Sequence, residues 1–169
     1  MDNNESILWQ VRHFVYHHLA DTTRAPTVKE TALHFDISNE EASELYQELH
    51  NRHAFFLEPQ TLTIRMANPF AGIPTDFKVH ANGKTYYANC AWDMLGIPAA
   101  LHTDAIIEAV CTESNESVKL EIKNGHVILS DSEGSLPSTS ETLRSAQSDT
   151  LLIHFPLPFV RWYDDLVFT

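Results

Sequence analysis

Cysteine is scarce in this chain: Cys90 and Cys111 are the only two among 169 residues. A disulfide framework is therefore excluded as the source of stability, reduced thiols are the natural reading, and any thiol chemistry falls to one or both of these residues. Basic side chains are also few, 11 Lys and Arg against 23 Asp and Glu, and a formal charge of -12 repels polyanions, so nucleic acid is not an expected partner. No stretch approaches the roughly 20 apolar residues needed to cross a bilayer, and the opening Met1-Asp2-Asn3-Asn4-Glu5 lacks the basic start of a secretion signal. The expectation is a cytoplasmic protein with no membrane partner. No internal repeat is visible, and the length suits one domain or two small ones.

What is present divides into a helical part and a β-rich part. Ile7, Leu8, Val11, Phe14, Val15 and Leu19 recur at three- and four-residue steps, which predicts an amphipathic helix over residues 5–20. Beyond Pro26, Thr27 with Glu30 and Ser38 with Glu41 are two capping-box patterns, each opening a short helix, the second carrying Ala42, Leu45, Tyr46 and Leu49. Residues 53–57 and 62–66 flank a Glu58-Pro59-Gln60-Thr61 turn and read as a hairpin placed where a winged helix has its wing. Residues 1–67 thus read as a winged-helix-like domain. Its recognition helix would carry Glu40, Glu41, Glu44 and Glu48 against the single base Arg52, whereas phosphate contacts need Lys and Arg. A winged-helix transcriptional regulator is therefore only the third reading of function.

Residues 68–169 form the second expected domain. Pro69, Gly72 and Pro74 punctuate a linker over residues 68–75. Asn82-Gly83 and Asn124-Gly125 are tight-turn signals, the first between Phe77 with Val79 and Tyr86 with Tyr87, the second between residues 118–122 and 127–129. Residues 130–148, rich in Ser, Thr, Asp and Glu, read as a mobile loop, and residues 151–155 as a buried strand. The fold class expected is α+β, a helical domain followed by a mixed or antiparallel sheet.

Between the two hairpins, Asn89-Cys90-Ala91-Trp92-Asp93 leaves a strand and opens a short helix predicted to end near Gly96. A spacing of three puts Cys90 and Asp93 on one helical face about a turn apart, near enough to share a ligand. The helix dipole favours the thiolate of Cys90, and an ionised Asp93 opposes it. Thiolate selects soft metals, and a carboxyl group whose pKa is raised is a proton donor. Taken on spacing alone the pattern is weak: a lone Cys is usually a small buried hydrophobe, and an Asp at a helix start is usually a cap.

The run Tyr86-Tyr-Ala-Asn-Cys-Ala-Trp-Asp-Met-Leu-Gly-Ile-Pro-Ala-Ala-Leu101 resembles the signature of the organomercurial (alkylmercury) lyase family. The resemblance extends to the helical N-terminal part, the linker, a strand into Cys111, and the Ile153-His154-Phe155 segment. It implies protonolysis of a carbon-mercury bond to hydrocarbon and inorganic mercury(II). Cys90 would bind the metal, Asp93, close to it, would deliver the proton, and Cys111 would be structural. Mercury would enter as substrate and leave as product, small thiols would be partners, and no organic cofactor would be needed. The family's second catalytic cysteine belongs near residues 150–152, where this sequence has none. His154 or an added small thiol would then complete the metal's ligands. Shorter relatives often continue with a cysteine beyond the point matching Thr169, so truncation there, or a selenocysteine codon read as stop, is a further expectation. The alternative function is a non-catalytic soft-metal or organometal binding or sensing protein.

Weaker signals complete the reading. Trp92, Trp162 and Tyr163 suit the wall of an apolar pocket, although for each one singly core packing is the better reading. His13 with His17 and His50 with His53 have metal-compatible helical spacings, but nothing at a helpful interval completes a zinc site. Asp164 and Asp165, being adjacent, point to opposite faces of an extended segment.

Overall fold

A computed structural model describes residues 3–110 and 115–129. The first helix, α1, spans Asn3–Thr22 and buries the predicted stripe: Leu8, Val11, Val15 and Leu19 are almost wholly enclosed. Each such side chain contributes roughly 1.5–3 kcal/mol by leaving water. Helices α2 (Val28–Phe35) and α3 (Asn39–Asn51) begin at Thr27 and Ser38, whose hydroxyls accept the N–H of Glu30 and Glu41. Each glutamate in turn accepts the backbone N–H of its cap residue, so both boxes close as the spacing predicts. The buried Tyr46 hydroxyl of α3 donates to the carbonyl of Pro26 at 3.1 Å and pairs with Thr31 Oγ1 at 2.7 Å, which fixes α3 against α2.

Three short strands follow, β1 (Phe56–Leu57), β2 (Ile64–Ala67) and β3 (Phe70–Ala71), antiparallel in that order. Strand β3 lies inside the stretch read as a linker. Two residues carry too little alternation to announce a strand, and pairing with β2 defines it. Gly72, just after it, passes so close to β2 that a Cβ would sit 2.0 Å from the Ile64 carbonyl oxygen, so only glycine fits.

The second sheet comprises β4 (Phe77–Ala81), β5 (Lys84–Ala88), β6 (Ala105–Val110), β7 (Ser117–Lys123) and β8 (His126–Leu129), ordered β5-β4-β6-β7-β8 and antiparallel at every pairing. Both Asn-Gly turns occur as predicted, with φ of 52° and 72° at Asn82 and Gly83 and of 50° and 77° at Asn124 and Gly125. The fold class is α+β. The helices and this sheet share one hydrophobic cluster running from Leu8 to Ile122. Tyr86 of β5 also donates its hydroxyl to the carbonyl of Ala20 in α1 at 2.7 Å.

Helix α4 (Ala91–Leu101) connects β5 to β6 and corrects one expectation, since it does not end near Gly96. Gly96 is instead a contact point, where a Cβ would come within 2.9 Å of the Pro69 ring. Pro98 is tolerated inside the helix at the loss of one hydrogen bond, the one to the Met94 carbonyl. The helix closes at His102, in the left-handed conformation with φ of 50°, and the N–H of Thr103 returns to the Pro98 carbonyl at 3.1 Å. Among the described residues no helix is long and apolar enough to cross a membrane. The loop read at residues 130–148, the strand at 151–155, Cys111, His154, Trp162, Tyr163 and both terminal aspartates lie outside the described residues.

Candidate active site

Strand β5 ends at Ala88, and two residues later Cys90 takes the N-cap position of α4, extended at φ -155° and ψ 175°. Its carbonyl accepts the first helical bond, from Met94 N–H at 3.2 Å, while its side chain closes no cap. The thiol is half-buried and free. Asp93 stands one turn further on and is 8% exposed; with Thr31 it makes up the buried polar residues among those described.

Burial drives the chemistry of both groups. It raises the Asp93 carboxyl from an ordinary 3.8 to about 6, against the opposing pull of the Asn89 amide, the Cys90 thiol and the Asn89 backbone N–H. Burial also raises the Cys90 thiol, and the negative charge of Asp93 adds to the rise; the N–H groups of Asp93 and Trp92 work the other way and lose. The helix-terminal N–H groups thus do not offset burial and the Asp93 charge together. Cys90 and Asp93 do come together as the spacing implies, and each influences the other's ionisation.

Two neighbours escaped the sequence reading. Asn89 Nδ2 lies 3.4 Å from Asp93 Oδ2 and 3.4 Å from the carbonyl oxygen of Phe70 in β3. Tyr16 of α1 is largely enclosed, donates to the Ala54 carbonyl at 3.2 Å, lies under the Arg12 guanidinium and feels the charge of Asp93. A polar residue directly before Cys90 was the signal for the first. For Tyr16, 74 positions earlier, no local signal existed.

The other proposed site residues fall differently. Trp92 is 59% exposed on the first turn of α4. Two cavities lie away from residues 90–95: one of about 570 Å³ runs between α1 and α3 beside Glu5, Glu44 and Arg52, and another of about 350 Å³ adjoins the β4-β5 turn. The Nε2 atoms of His13 and His17 approach to 2.9 Å on an exposed face of α1. His50 Nδ1 accepts the Leu57 N–H at 3.3 Å, and His53 stacks on Phe56. No group of three or more His, Cys, Asp or Glu side chains gathers for a metal among the described residues.

The model of the alkylmercury lyase family matches residues 70–158, more than half of the chain, from β3 through Cys90, Asp93 and α4. The chain belongs to the alkylmercury lyase family. Its fold is similar to a solved structure described as the mercury-bound form of MerB2, with a TM-score of 0.58 and 22% identity. The likeness covers 72% of this chain and 58% of that one, so the chain spans less than two thirds of the length of the structure it matches. No curated protein matches it. The alkylmercury lyase match begins after α1, α2 and α3, and among the described residues the helix it encloses is the one that brings the thiol and the buried acid together.

Proposed function

We propose that this chain cleaves carbon-mercury bonds by protonolysis, with Cys90 as metal ligand and Asp93 as proton carrier. The observation that carries the reading is a carboxyl group held near pKa 6 by burial, one turn from a free thiol, inside the segment that matches the family. The Cys90 sulfur attacks the mercury of an organomercurial, displaces its weaker ligand and passes the thiol proton to the Asp93 carboxylate. Asp93, now neutral, returns that proton to the carbon. The electron pair of the carbon-mercury bond becomes the new carbon-hydrogen bond, the hydrocarbon leaves, and mercury remains as mercury(II) on the Cys90 sulfur. No oxidation state changes. Small thiols then supply a further soft ligand and carry the ion away.

The acid suits this cycle because a group of pKa about 6 both accepts and gives a proton near neutrality. The test is incubation of the full chain with a simple organomercurial and excess small thiol, measuring hydrocarbon and inorganic mercury(II). Release that stops in Cys90→Ser and falls at least a hundredfold in Asp93→Asn is expected, in the range that general acid catalysis contributes. Release surviving both substitutions removes the assignment. Metal binding through Cys90 without hydrocarbon supports the second reading, a sequestering or sensing protein, which the lack of any cysteine after Cys111 favours.

A further inference from the structure

Asn89 occupies the junction between β5 and α4 and touches two parts of the molecule through one nitrogen. Its Nδ2 lies 3.4 Å from the Phe70 carbonyl oxygen and 3.4 Å from Asp93 Oδ2. The orientation of a side-chain amide is set by its partners, and here one partner is unambiguous. A backbone carbonyl can only accept, so the atom facing Phe70 must be the NH2 nitrogen. The same nitrogen faces Asp93, and Oδ2 is therefore bound to accept as well.

We infer that Asn89 is a positioning residue which anchors Oδ2 of Asp93 to β3 and so fixes the orientation of the carboxyl group that carries the proton. The carboxyl group is thereby given a direction as well as a pKa. The anchor is also tertiary: Phe70 opens the segment that the family model matches, and its strand is held to β2. The orientation of Asp93 thus depends on the packing of β3 and not on α4 alone.

The inference rests on the proposed lyase reading, and its test has one arm that does not. In the free full chain, labelled with nitrogen-15, the two Nδ2 protons of Asn89 are expected at separate NMR positions, and Asp93→Ala should move one while leaving the other, held by Phe70, in place. Two unmoved protons overturn the pairing. In the kinetic arm, Asn89→Ala is expected to lower kcat about tenfold with KM within about twofold, because a hydrogen bond to a charged group is lost at the acid and not at the metal ligand. Asn89→Gln, which keeps the donor, should recover part of the loss. An unchanged kcat in folded Asn89→Ala overturns the positioning role. Protons that respond in a protein releasing no hydrocarbon sink the lyase reading and keep the anchor. Hydrocarbon release with unresponsive protons sinks the anchor alone.

Discussion

Three helices of this protein start alike on paper and differ in what the start is used for. Thr27 with Glu30, Ser38 with Glu41, and Cys90 with Asp93 each place a small polar side chain at the N-cap and an acid three residues later. In α2 and α3 both halves of the box close, and the acids are held below the ordinary carboxylate range, Glu30 by Arg24 and the Thr27 backbone, Glu41 by the Ser38 backbone. In α4 the sulfur makes no cap bond, and the acid is buried, with its pKa raised to about 6. An oxygen cap commits the pair to stabilising the helix, whereas sulfur, a poor acceptor, leaves both groups free for other partners. The family signature can thus be read as a capping box whose chemistry has been diverted.

The largest way to sharpen that comparison is Asp93→Asn. The folded-state pKa of Asp93 lies above its unfolded value, so its contribution to stability is fully present below about pH 4 and lost as pH rises through about 6. A pKa rise of about two corresponds to roughly 3 kcal/mol. Relative to the unsubstituted protein, the Asn variant should gain roughly that much between pH 4 and pH 8, measured by denaturant unfolding at both. A difference that stays constant with pH would show that Asp93 is not buried at a cost, and the contrast with Glu30 and Glu41 would disappear. Stability gained where activity is lost is the pattern expected of a residue kept for chemistry.

Legibility in the sequence followed the range of the forces involved. The boxes of α2 and α3 and the two Asn-Gly turns depend on contacts within a few residues, and local pattern located all four. Strand β3 and the far end of α4 depend on distant partners. Gly96 looked like a helix stop, but its bare Cα makes room for Pro69, and the stop is His102, where the chain turns into the left-handed region. At the site, spacing put Cys90 and Asp93 on one face; it could not show that the acid is buried or that Asn89 holds it. Both follow from the way β3 and the sheet close around the start of α4.

That difference in range predicts different weak points. Helix α4, lacking a side-chain cap, should depend on its contact with the chain at Pro69, and Gly96→Ala would force a Cβ to 2.9 Å from that ring. The better helix propensity of Ala returns about 1 kcal/mol, while overpacking costs about 1–3, so a net loss of up to about 2 kcal/mol is expected. Helix α2 depends on its cap, and Thr27→Ala should cost about 1 kcal/mol without altering the reactivity of Cys90. Thermal unfolding of both variants decides the matter; a stabilised Gly96→Ala would return that glycine to the role of an ordinary helix breaker.

The smallest effect tests the mutual influence of the two site groups directly. Asp93 pushes the Cys90 thiol upward only while it is ionised, which it is above about pH 6. Removing the charge in Asp93→Asn should therefore raise the thiolate fraction, and with it the rate of alkylation at Cys90, at pH 8. At pH 5 the acid is mostly neutral in the unsubstituted protein, so the two rates should converge. Burial, the larger cause of the raised thiol pKa, survives the substitution, so the thiol stays above its ordinary value. Mass spectrometry of the peptide containing Cys90 separates its reaction from that of Cys111. Equal rates at pH 8 would mean that sulfur and carboxyl do not sense one another, and α4 would then begin with an unclosed cap and nothing more.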